Sequence, residues 1–129
     1  MHPLGRISSK QDFGLIRRKG NRFNSASFSA TFLSNQLPKK LCLKPDTSPP
    51  LIFAAFTVTK KNFKKAVDRN RIKRRLRPLI QQTSQKLHTQ GWSQPLMINF
   101  YAKPSIANAS WPELCTEFEA FYDMLQNHN

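Results

Sequence analysis

The sequence predicts an α+β fold, a sandwich in which a small β-sheet packs against helices. Two short apolar stretches, 51–59 and 95–102, have the composition of β-strands. Two longer stretches, 66–80 and 110–125, repeat apolar residues at helical spacing. Strand and helix patterns alternate, and 129 residues suffice for one hydrophobic core but not for two. We therefore predict a single domain over residues 1–129.

A short first helix is predicted near the N-terminus. Ser8 or Ser9 can cap it, because a hydroxyl oxygen accepts a hydrogen bond from the free backbone N–H groups of the first turn. Phe13 and Ile16 then lie on one apolar stripe, and Gly20 is a natural end for the helix.

Three extended segments are predicted in the middle of the chain. Residues 28–32 alternate apolar with small polar side chains, as in a strand with one face on the core and one face open. Residues 51–59 have the strongest strand pattern, and residues 95–102 form a further strand. Alternate residues of the last strand divide into two faces, Leu96, Ile98 and Phe100 against Met97, Asn99 and Tyr101. Prolines between 35 and 50 instead indicate a loop or an edge segment.

A long basic helix is predicted from about Ala66. Its apolar residues recur at spacings of four, three and one, which places them on one stripe: Ile72, Leu76, Leu79 and Ile80. Pro78 cannot donate a hydrogen bond to the carbonyl of Arg74, so it should kink or end the helix, and we expect a kink.

A final amphipathic helix follows. Ser110 and Glu113 form a capping box at its start. Its apolar residues again have helical spacing: Leu114, Phe118, Phe121 and Leu125. We expect the first few residues of the chain and residues 126–129 to be flexible. The residues alone thus predict the element order α-β-β-α-β-α.

Positive charge dominates the composition. Lys and Arg number 21 against 7 Asp and Glu, a formal net charge of +14. Ten of the basic residues lie between positions 60 and 77, where Asp68 is the only acid, and no Lys or Arg follows Ser105. Such an imbalance destabilises a compact chain by self-repulsion unless a polyanion neutralises it. Nucleic acid is therefore the expected partner.

The sequence does not show the residue pattern of a protein nuclease site. Asp12, Asp46 and Asp68 are widely spaced and the His residues are scattered, so we predict no carboxylate cluster for Mg²⁺ and no His beside a nucleophile. Cys42 and Cys115 are far apart in apolar surroundings, which favours buried reduced thiols over a disulfide or a zinc site. We predict no catalytic residue and no metal site in this chain.

The sequence also favours a cytoplasmic location. No apolar run approaches the roughly 20 residues of a membrane span, and the N-terminus lacks the hydrophobic region of a signal peptide. A basic amphipathic helix could lie on a membrane surface. Here its apolar stripe lacks bulky interfacial aromatics and is needed for the core, so no membrane partner is expected.

The basic helix presents two adjacent polar ridges. Arg69, Lys73 and Arg77 follow one another at i, i+4 and i+8 along one ridge, and the adjacent ridge carries Asn70, Arg74 and again Arg77. Guanidinium groups bind phosphates in fork geometry, and Asn70 can contact a base edge, a 2′-hydroxyl or a metal-bound water. The alternative is a solvated helix with internal salt bridges. It is disfavoured because the acids are absent, and like-charge repulsion costs roughly 0.2–0.5 kcal/mol per pair.

The basic segment resembles a known motif. The run A-V-D-R-N-R-I-K-R-R-L-R, entered through T-V-T-K-K-N-F-K-K, is similar to the RNR motif of the bacterial ribonuclease P protein family, with the spacing of proteobacterial members. The opening R-I-S-S-K-Q-D-F resembles the first helix of that family, and Leu96 to Lys103 resembles its strand ending in A-K. The resemblance covers most of the chain.

The resemblance implies both a fold and a function. The implied element order is α-β-β-β-α-β-α, in a ribosomal-protein-S5-like sandwich with a left-handed crossover through the basic helix, against the usual right-handed rule. The implied role is that of the protein subunit of ribonuclease P, which removes the 5′ leader from precursor tRNA. The RNA subunit is expected to hold Mg²⁺ and to cleave the phosphodiester bond. The protein is expected to bind ribonuclease P RNA and precursor tRNA, with no obligate protein partner.

The motif also implies two groups of site residues. The positions that match the face toward the catalytic RNA are Lys60, Lys61, Lys64, Lys65, Arg69, Asn70, Arg71 and Arg74. The positions that match a central cleft for the single-stranded leader are Phe13, Arg17, Thr31, Thr57, Lys73 and Arg77. Some members have aromatic residues where this chain has Arg17 and Thr31, so we expect weaker base stacking and stronger electrostatic attraction. Phe13 taken alone fits a core residue better than a stacking surface, and the resemblance makes the two roles equally expected.

One alternative of another class remains at this point. A non-catalytic RNA-binding protein of the ribosome or of another ribonucleoprotein assembly could use the same helix on a different RNA, because composition and charge suit any structured RNA.

Overall fold

The computed structural model describes residues 4–7, 10–34, 52–92 and 94–128. In chain order its elements are β1 (Leu4–Arg6), α1 (Lys10–Lys19), β2 (Asn21–Asn24), β3 (Phe28–Ser34), β4 (Ile52–Thr57), α2 (Ala66–Thr89), β5 (Leu96–Ala102), a short 3₁₀ helix (Pro104–Asn108) and α3 (Trp111–His128). The predicted caps Ser8 and Ser9, the predicted loop at 35–50 and Cys42 lie outside the described residues.

The strands form one mixed sheet of five strands in the order β1-β4-β5-β3-β2. β4 is parallel to both of its neighbours, β1 and β5, whereas β3 is antiparallel to β5 and β2. The α+β class and the mixed sheet are therefore confirmed. Because β4 and β5 are parallel neighbours, α2 is the crossover connection between them. The left hand of this crossover stays a prediction.

Most elements agree with the sequence prediction. The elements α1, β3, β4, α2, β5 and α3 are all confirmed. Most ends differ from the expected ones by a few residues, but α2 continues well past residue 80, to Thr89. After an additional N-terminal strand, the order is the α-β-β-β-α-β-α implied by the family resemblance. α3 runs to His128, so the backbone from 126 to 128 is helical, and the flexibility expected there stays a prediction.

The prediction from residues alone missed two strands. β1 has only three residues, and β2 has the sequence N-R-F-N, of which only Phe23 is partly buried. Neither has a local strand pattern, because both are edge strands whose conformation comes from pairing with a neighbour. β1 pairs with β4 and β2 with β3, and the β1 partner is distant in sequence.

One face of the sheet carries the main hydrophobic core. α2 and α3 cover this face, and all the predicted stripe residues of both helices are buried there. Phenylalanine rings fill its centre: Phe28 and Phe118 stack with ring centroids 4.7 Å apart, and Phe100 lies 5.6 Å from Phe121. Such stacked and edge-to-face pairs add to the hydrophobic gain of burying the rings.

Hydrogen bonds tie α2 and α3 to their surroundings. α2 continues through Pro78 to Thr89, so Pro78 does not end the helix. Pro78 is exposed, and the carbonyl of Arg74, which it cannot bind, is therefore within reach of water. Arg75 Nη2 donates to the carbonyl of Ala109 over 2.7 Å, just before α3 begins. The expected α3 cap is confirmed, because the backbone N–H of the third helical residue donates to the hydroxyl of Ser110 over 3.3 Å.

Among the described residues, α1 is the helix that covers the opposite face of the sheet. Ile16 packs with Phe53, Ala55 and Met97 in a second, smaller cluster. α1 has ten residues and contacts mainly β3 and β5. Within the part of the chain that the structure describes, this face is therefore less covered than the face under α2 and α3.

Gly20 and Gly14 provide a matched test of how α1 joins the sheet. A Cβ atom on Gly20 would overlap the carbonyl oxygen of Ile16 and lie 2.8 Å from that of Phe32, and neither backbone atom can move aside easily. A Cβ atom on Gly14 would meet nothing within 4 Å. The close approach of α1 to β3 thus requires glycine at position 20 only.

We predict that Gly20→Ala lowers the free energy of unfolding by about 1–3 kcal/mol through overpacking. Gly14→Ala should raise it by about 0.5–1 kcal/mol, because alanine is the better helix former. Urea unfolding of both variants measures the two changes. A Gly20→Ala variant as stable as the parent would contradict the packing described for α1.

Candidate nucleic-acid interface

Two cavities adjoin α1 and share Phe13 as a wall. The first, of about 360 Å³, lies between α1 and strands β2, β3 and β5, and we call it the strand cavity. The second, of about 540 Å³, lies between β1, β4 and α2, with Phe13 of α1 also in its wall, and we call it the edge cavity. Because Phe13 lines both, we call the two cavities together the cleft.

Two short elements border the cleft. Among the described residues, α1 spans ten residues and β1 pairs with β4 from Ile52 to Ala54. The side chains of Lys73 and Arg77, one helical turn apart on α2, line the edge cavity beyond the end of this pairing.

Positive charge surrounds the cleft. Arg17 and Arg22 line the strand cavity, and Arg6, Lys73 and Arg77 line the edge cavity. The described residues that line the two cavities include no Asp or Glu. An extended anion could therefore follow the cleft from one cavity to the other.

Polar groups form part of the strand cavity. Thr57 Oγ1 donates to Asn99 Oδ1 over 2.9 Å, and Asn62 Nδ2 donates to the hydroxyl of Tyr101 over 3.0 Å. Asn99 and Tyr101 line the cavity together with Thr31. Thr57, which was also expected in the cleft, is not among the residues that line the two cavities, but it contacts Asn99, which lines the strand cavity.

Phe13 is placed for either of the two roles that the sequence left open, core residue or stacking surface. The ring is partly buried and packs against the second hydrophobic cluster, and it also lines both cavities. Tyr101 is 36 % exposed and adds a second aromatic ring to the strand cavity. The cleft therefore offers aromatic surface beside its positive charges.

A second basic surface lies on the solvent side of α2. Asn70, Arg71 and Arg74 are exposed there. The segment before the helix carries four exposed lysines: Lys60, Lys61, Lys64 and Lys65. We call this segment, residues 60–65, the lysine loop, and we call the loop together with the solvent side of α2 the helix surface.

Arg69 differs from its neighbours in the RNR motif. Its side chain is only partly exposed, and Nη1 donates to the carbonyl of Phe63 over 2.8 Å and to that of Lys64 over 3.1 Å. Arg75 also leaves the helix surface, because it donates to Ala109. The basic residues of α2 therefore have at least three different surroundings.

The predicted site residues fall into two groups in space. Phe13, Arg17 and Thr31 meet in the strand cavity, and Lys73 and Arg77 join Phe13 in the edge cavity. The residues expected to face the catalytic RNA lie on the helix surface, with Arg69 turned toward the lysine loop.

Sequence reasoning missed several cleft residues. Arg6 and Arg22 lie on the two strands that were not predicted, and no local signal marks them. Asn99 and Tyr101 could have been found, because the alternation in 95–102 already put them on the face opposite Ile98.

The described residues do not fit a metal site or a membrane span. Among them, no group of three or more His, Cys, Asp or Glu side chains could hold a metal ion. Cys115 is partly buried and is a free thiol. Within the same part of the chain, no helix has both the length and the apolar character needed to cross a bilayer.

Comparison with known proteins identifies the family. The model of the Ribonuclease P family matches residues 1–126. The structure of the Staphylococcus aureus RNase P protein is similar, with a TM-score of 0.64 and 21% identity over 96% of this chain and 97% of that one. A mutant of the S. aureus protein, described as defective in mRNA degradation activity, matches with a TM-score of 0.66 and 19% identity over 94% and 87% of the two chains. No curated protein matches.

The structural matches support the fold, and the family match decides between the two functions considered from the sequence. It excludes the alternative of a ribosomal or other assembly protein, because nearly the whole chain fits the family. The chain belongs to the Ribonuclease P family and has the role of the protein subunit of that enzyme.

Proposed function

We propose that the chain binds the catalytic RNA of ribonuclease P through the helix surface and holds the 5′ leader of precursor tRNA in the cleft. One observation carries this proposal. The basic residues of α2 divide between two surroundings: Arg71 and Arg74 are exposed on the helix surface, and Lys73 and Arg77 line the cleft. A single helix can thus contact two RNA segments at once.

The cleft suits a single strand of RNA. Its cavities have the size of small-molecule sites, which fits extended nucleotides better than a duplex. Single strands are held by basic grooves with surfaces on which bases stack, and with little sequence preference. Phe13 and Tyr101 provide such surfaces, and Arg17, Arg22 and Arg77 provide charge.

The helix surface suits structured RNA. Arg71 and Arg74 can contact phosphates through their planar guanidinium groups, and the exposed lysines add point charges beside them. Asn70 can donate to or accept from a 2′-hydroxyl. Phosphate contacts of this kind give affinity and register without reading a base sequence.

We propose that the chemistry belongs to the RNA subunit. Mg²⁺ held by that RNA would supply the activated water and stabilise charge on the phosphate. The chain itself contributes binding and orientation: it raises the affinity for substrates that carry a leader and keeps the leader extended beside the RNA. We propose that it acts in the cytoplasm, with ribonuclease P RNA and precursor tRNA as partners and without an obligate protein partner.

We predict that the helix surface determines the salt dependence of binding to ribonuclease P RNA. Each neutralised phosphate releases counterions, so Arg71→Ala and Arg74→Ala should each flatten the slope of log affinity against log salt by somewhat less than about one unit. Binding titrations over a series of KCl concentrations measure the slope.

Lys86→Ala is the matched control for this experiment. Lys86 lies in the last turn of α2, with Nζ 5.4 Å from the centroid of the Tyr122 ring, so the variant removes one charge from the same helix away from the helix surface. Its slope should equal that of the parent. If the double variant of Arg71 and Arg74 kept the parent slope, the helix surface would not be the RNA-binding face.

We predict that the cleft binds the 5′ leader of precursor tRNA. Lys73→Ala, Arg77→Ala and Arg17→Ala should each weaken affinity for precursor tRNA while leaving affinity for mature tRNA nearly unchanged. A stacked base or charged contact is worth on the order of 1–3 kcal/mol, which is roughly tenfold or more in affinity. Titration of the assembled enzyme with both tRNAs measures the difference.

Two controls accompany this experiment. Arg18→Ala removes the same charge from α1 at an exposed position that lines neither cavity, and should bind both tRNAs like the parent. Phe13→Leu keeps apolar packing but removes the stacking surface, and thermal melting separates lost stability from lost binding. Equal weakening toward precursor and mature tRNA by all the cleft variants would mean that the protein is a general RNA clamp.

A further inference from the structure

The lysine loop has a defined conformation in the free protein. The backbone N–H of Phe63 donates to the carbonyl of Thr59 over 2.9 Å, and that of Asn62 donates to Thr59 Oγ1 over 3.3 Å. The Phe63 ring is buried in the main core, and Asn62 Nδ2 donates to the hydroxyl of Tyr101. These contacts hold the first half of the loop.

The second half of the loop is held by Arg69. Lys64 and Lys65 are exposed, and Lys65, at the N-terminus of α2, makes no side-chain cap hydrogen bond. Arg69 Nη1 reaches back from the first turn and donates to the carbonyls of Phe63 and Lys64. These two bonds fix the backbone from which the last two lysines extend.

The position of Arg69 is electrostatically unusual. Cations near a helix N-terminus are destabilised by the helix dipole, and four lysines lie in the adjacent loop. Two carbonyl oxygens compensate part of this cost, since hydrogen bonds from a charged donor are stronger than neutral ones. The exposed Arg71 has no comparable backbone partner among the described residues.

We propose that Arg69 is a positioning residue, which acts on RNA mainly by holding Lys64 and Lys65 in their binding geometry. This inference rests on the proposed role of the helix surface and deepens it. A preordered loop loses less conformational entropy when it binds RNA, so its lysines contribute more affinity. A side chain that only contacted a phosphate would not need to bind the loop backbone.

Lysine cannot take over this role. Its ammonium group keeps the charge of Arg69, but its side chain is one bond shorter and lacks the planar fork of donors. Arg69→Lys therefore separates the two explanations. If Arg69 only contacts a phosphate, lysine keeps most of the electrostatic contribution to binding. If Arg69 holds the loop backbone, lysine loses that function.

The first part of the test uses the protein without RNA. Limited trypsin digestion, well below the melting temperature and with cleavage sites identified by mass spectrometry, reports how often the loop opens. Arg69→Ala and Arg69→Lys should accelerate cleavage after Lys64 and Lys65 roughly tenfold or more, as the loss of hydrogen bonds to a charged donor implies. Arg71→Ala, the matched control, should leave it unchanged.

The second part measures binding to ribonuclease P RNA at a series of salt concentrations. Arg69→Ala and Arg69→Lys should flatten the salt slope as much as the double variant Lys64→Ala, Lys65→Ala does. Arg69→Ala added to that double variant should change the slope little further, because the residues act as a unit. A merely structural role would lower the melting temperature without changing the slope.

The outcomes are distinguishable. Unchanged trypsin cleavage, an unchanged slope in the Arg69 variants, or full additivity with the lysine substitutions would each overturn the inference. If removing Lys64 and Lys65 left the slope unchanged while the double variant of Arg71 and Arg74 flattened it, the inference would fail and the helix surface would stand. If neither double variant changed the slope, the proposed RNA surface itself would be wrong.

Discussion

The packing of α2 against the sheet is the constraint on which the rest of the molecule depends. Ile72, Leu76 and Ile80 are buried in the main core, and this fixes the rotation of the helix about its axis. Every other side chain on α2 then has a determined direction, because successive residues are rotated by about 100°. Lys73 and Arg77 adjoin the buried stripe and line the cleft, whereas Arg71 projects to solvent.

Hydrogen bonds from charged side chains help the fold to tolerate its positive charge. Among the described residues, two arginines of α2 donate to backbone carbonyls, Arg69 to the lysine loop and Arg75 to the segment before α3. An acidic side chain stabilises the turn between β2 and β3. Glu117 Oε1 accepts a hydrogen bond from the hydroxyl of Ser25, and it accepts another from the backbone N–H of Ser27 over 2.7 Å. These bonds connect the turn to α3. The remaining positive charge is concentrated where RNA is proposed to bind, and RNA binding would relieve its repulsion.

Much of the fold could be predicted from the sequence because hydrophobic periodicity is a local signal. The stripe at Ile72 and Leu76 and the alternation around Ile98 identified α2 and β5. β1 and β2 could not be predicted, since their conformation depends on strand pairing that no local pattern records. Pro78 was expected to kink or end α2; the helix continues past this exposed residue to Thr89, and the kink stays a prediction.

Site residues could be predicted where they lie on a predicted helix or strand, and they were missed where they do not. Phe13, Lys73 and Arg77 were assigned to the cleft, and the structure brings them together at the edge cavity. Arg22 was missed with its strand. The contrast between Arg69 and Arg71 was also missed, because both belong to one motif and only the path of the lysine loop distinguishes them.

The most direct test of the central claim is photo-crosslinking from the two sides of α2. A crosslinking amino acid replaces either Arg71 or Arg77, which lie about 120° apart around the helix axis, in enzyme assembled with ribonuclease P RNA and precursor tRNA. We predict crosslinks from position 77 to the leader and from position 71 to ribonuclease P RNA. Crosslinks from both positions to the same RNA segment would contradict the division of RNA contacts by this helix.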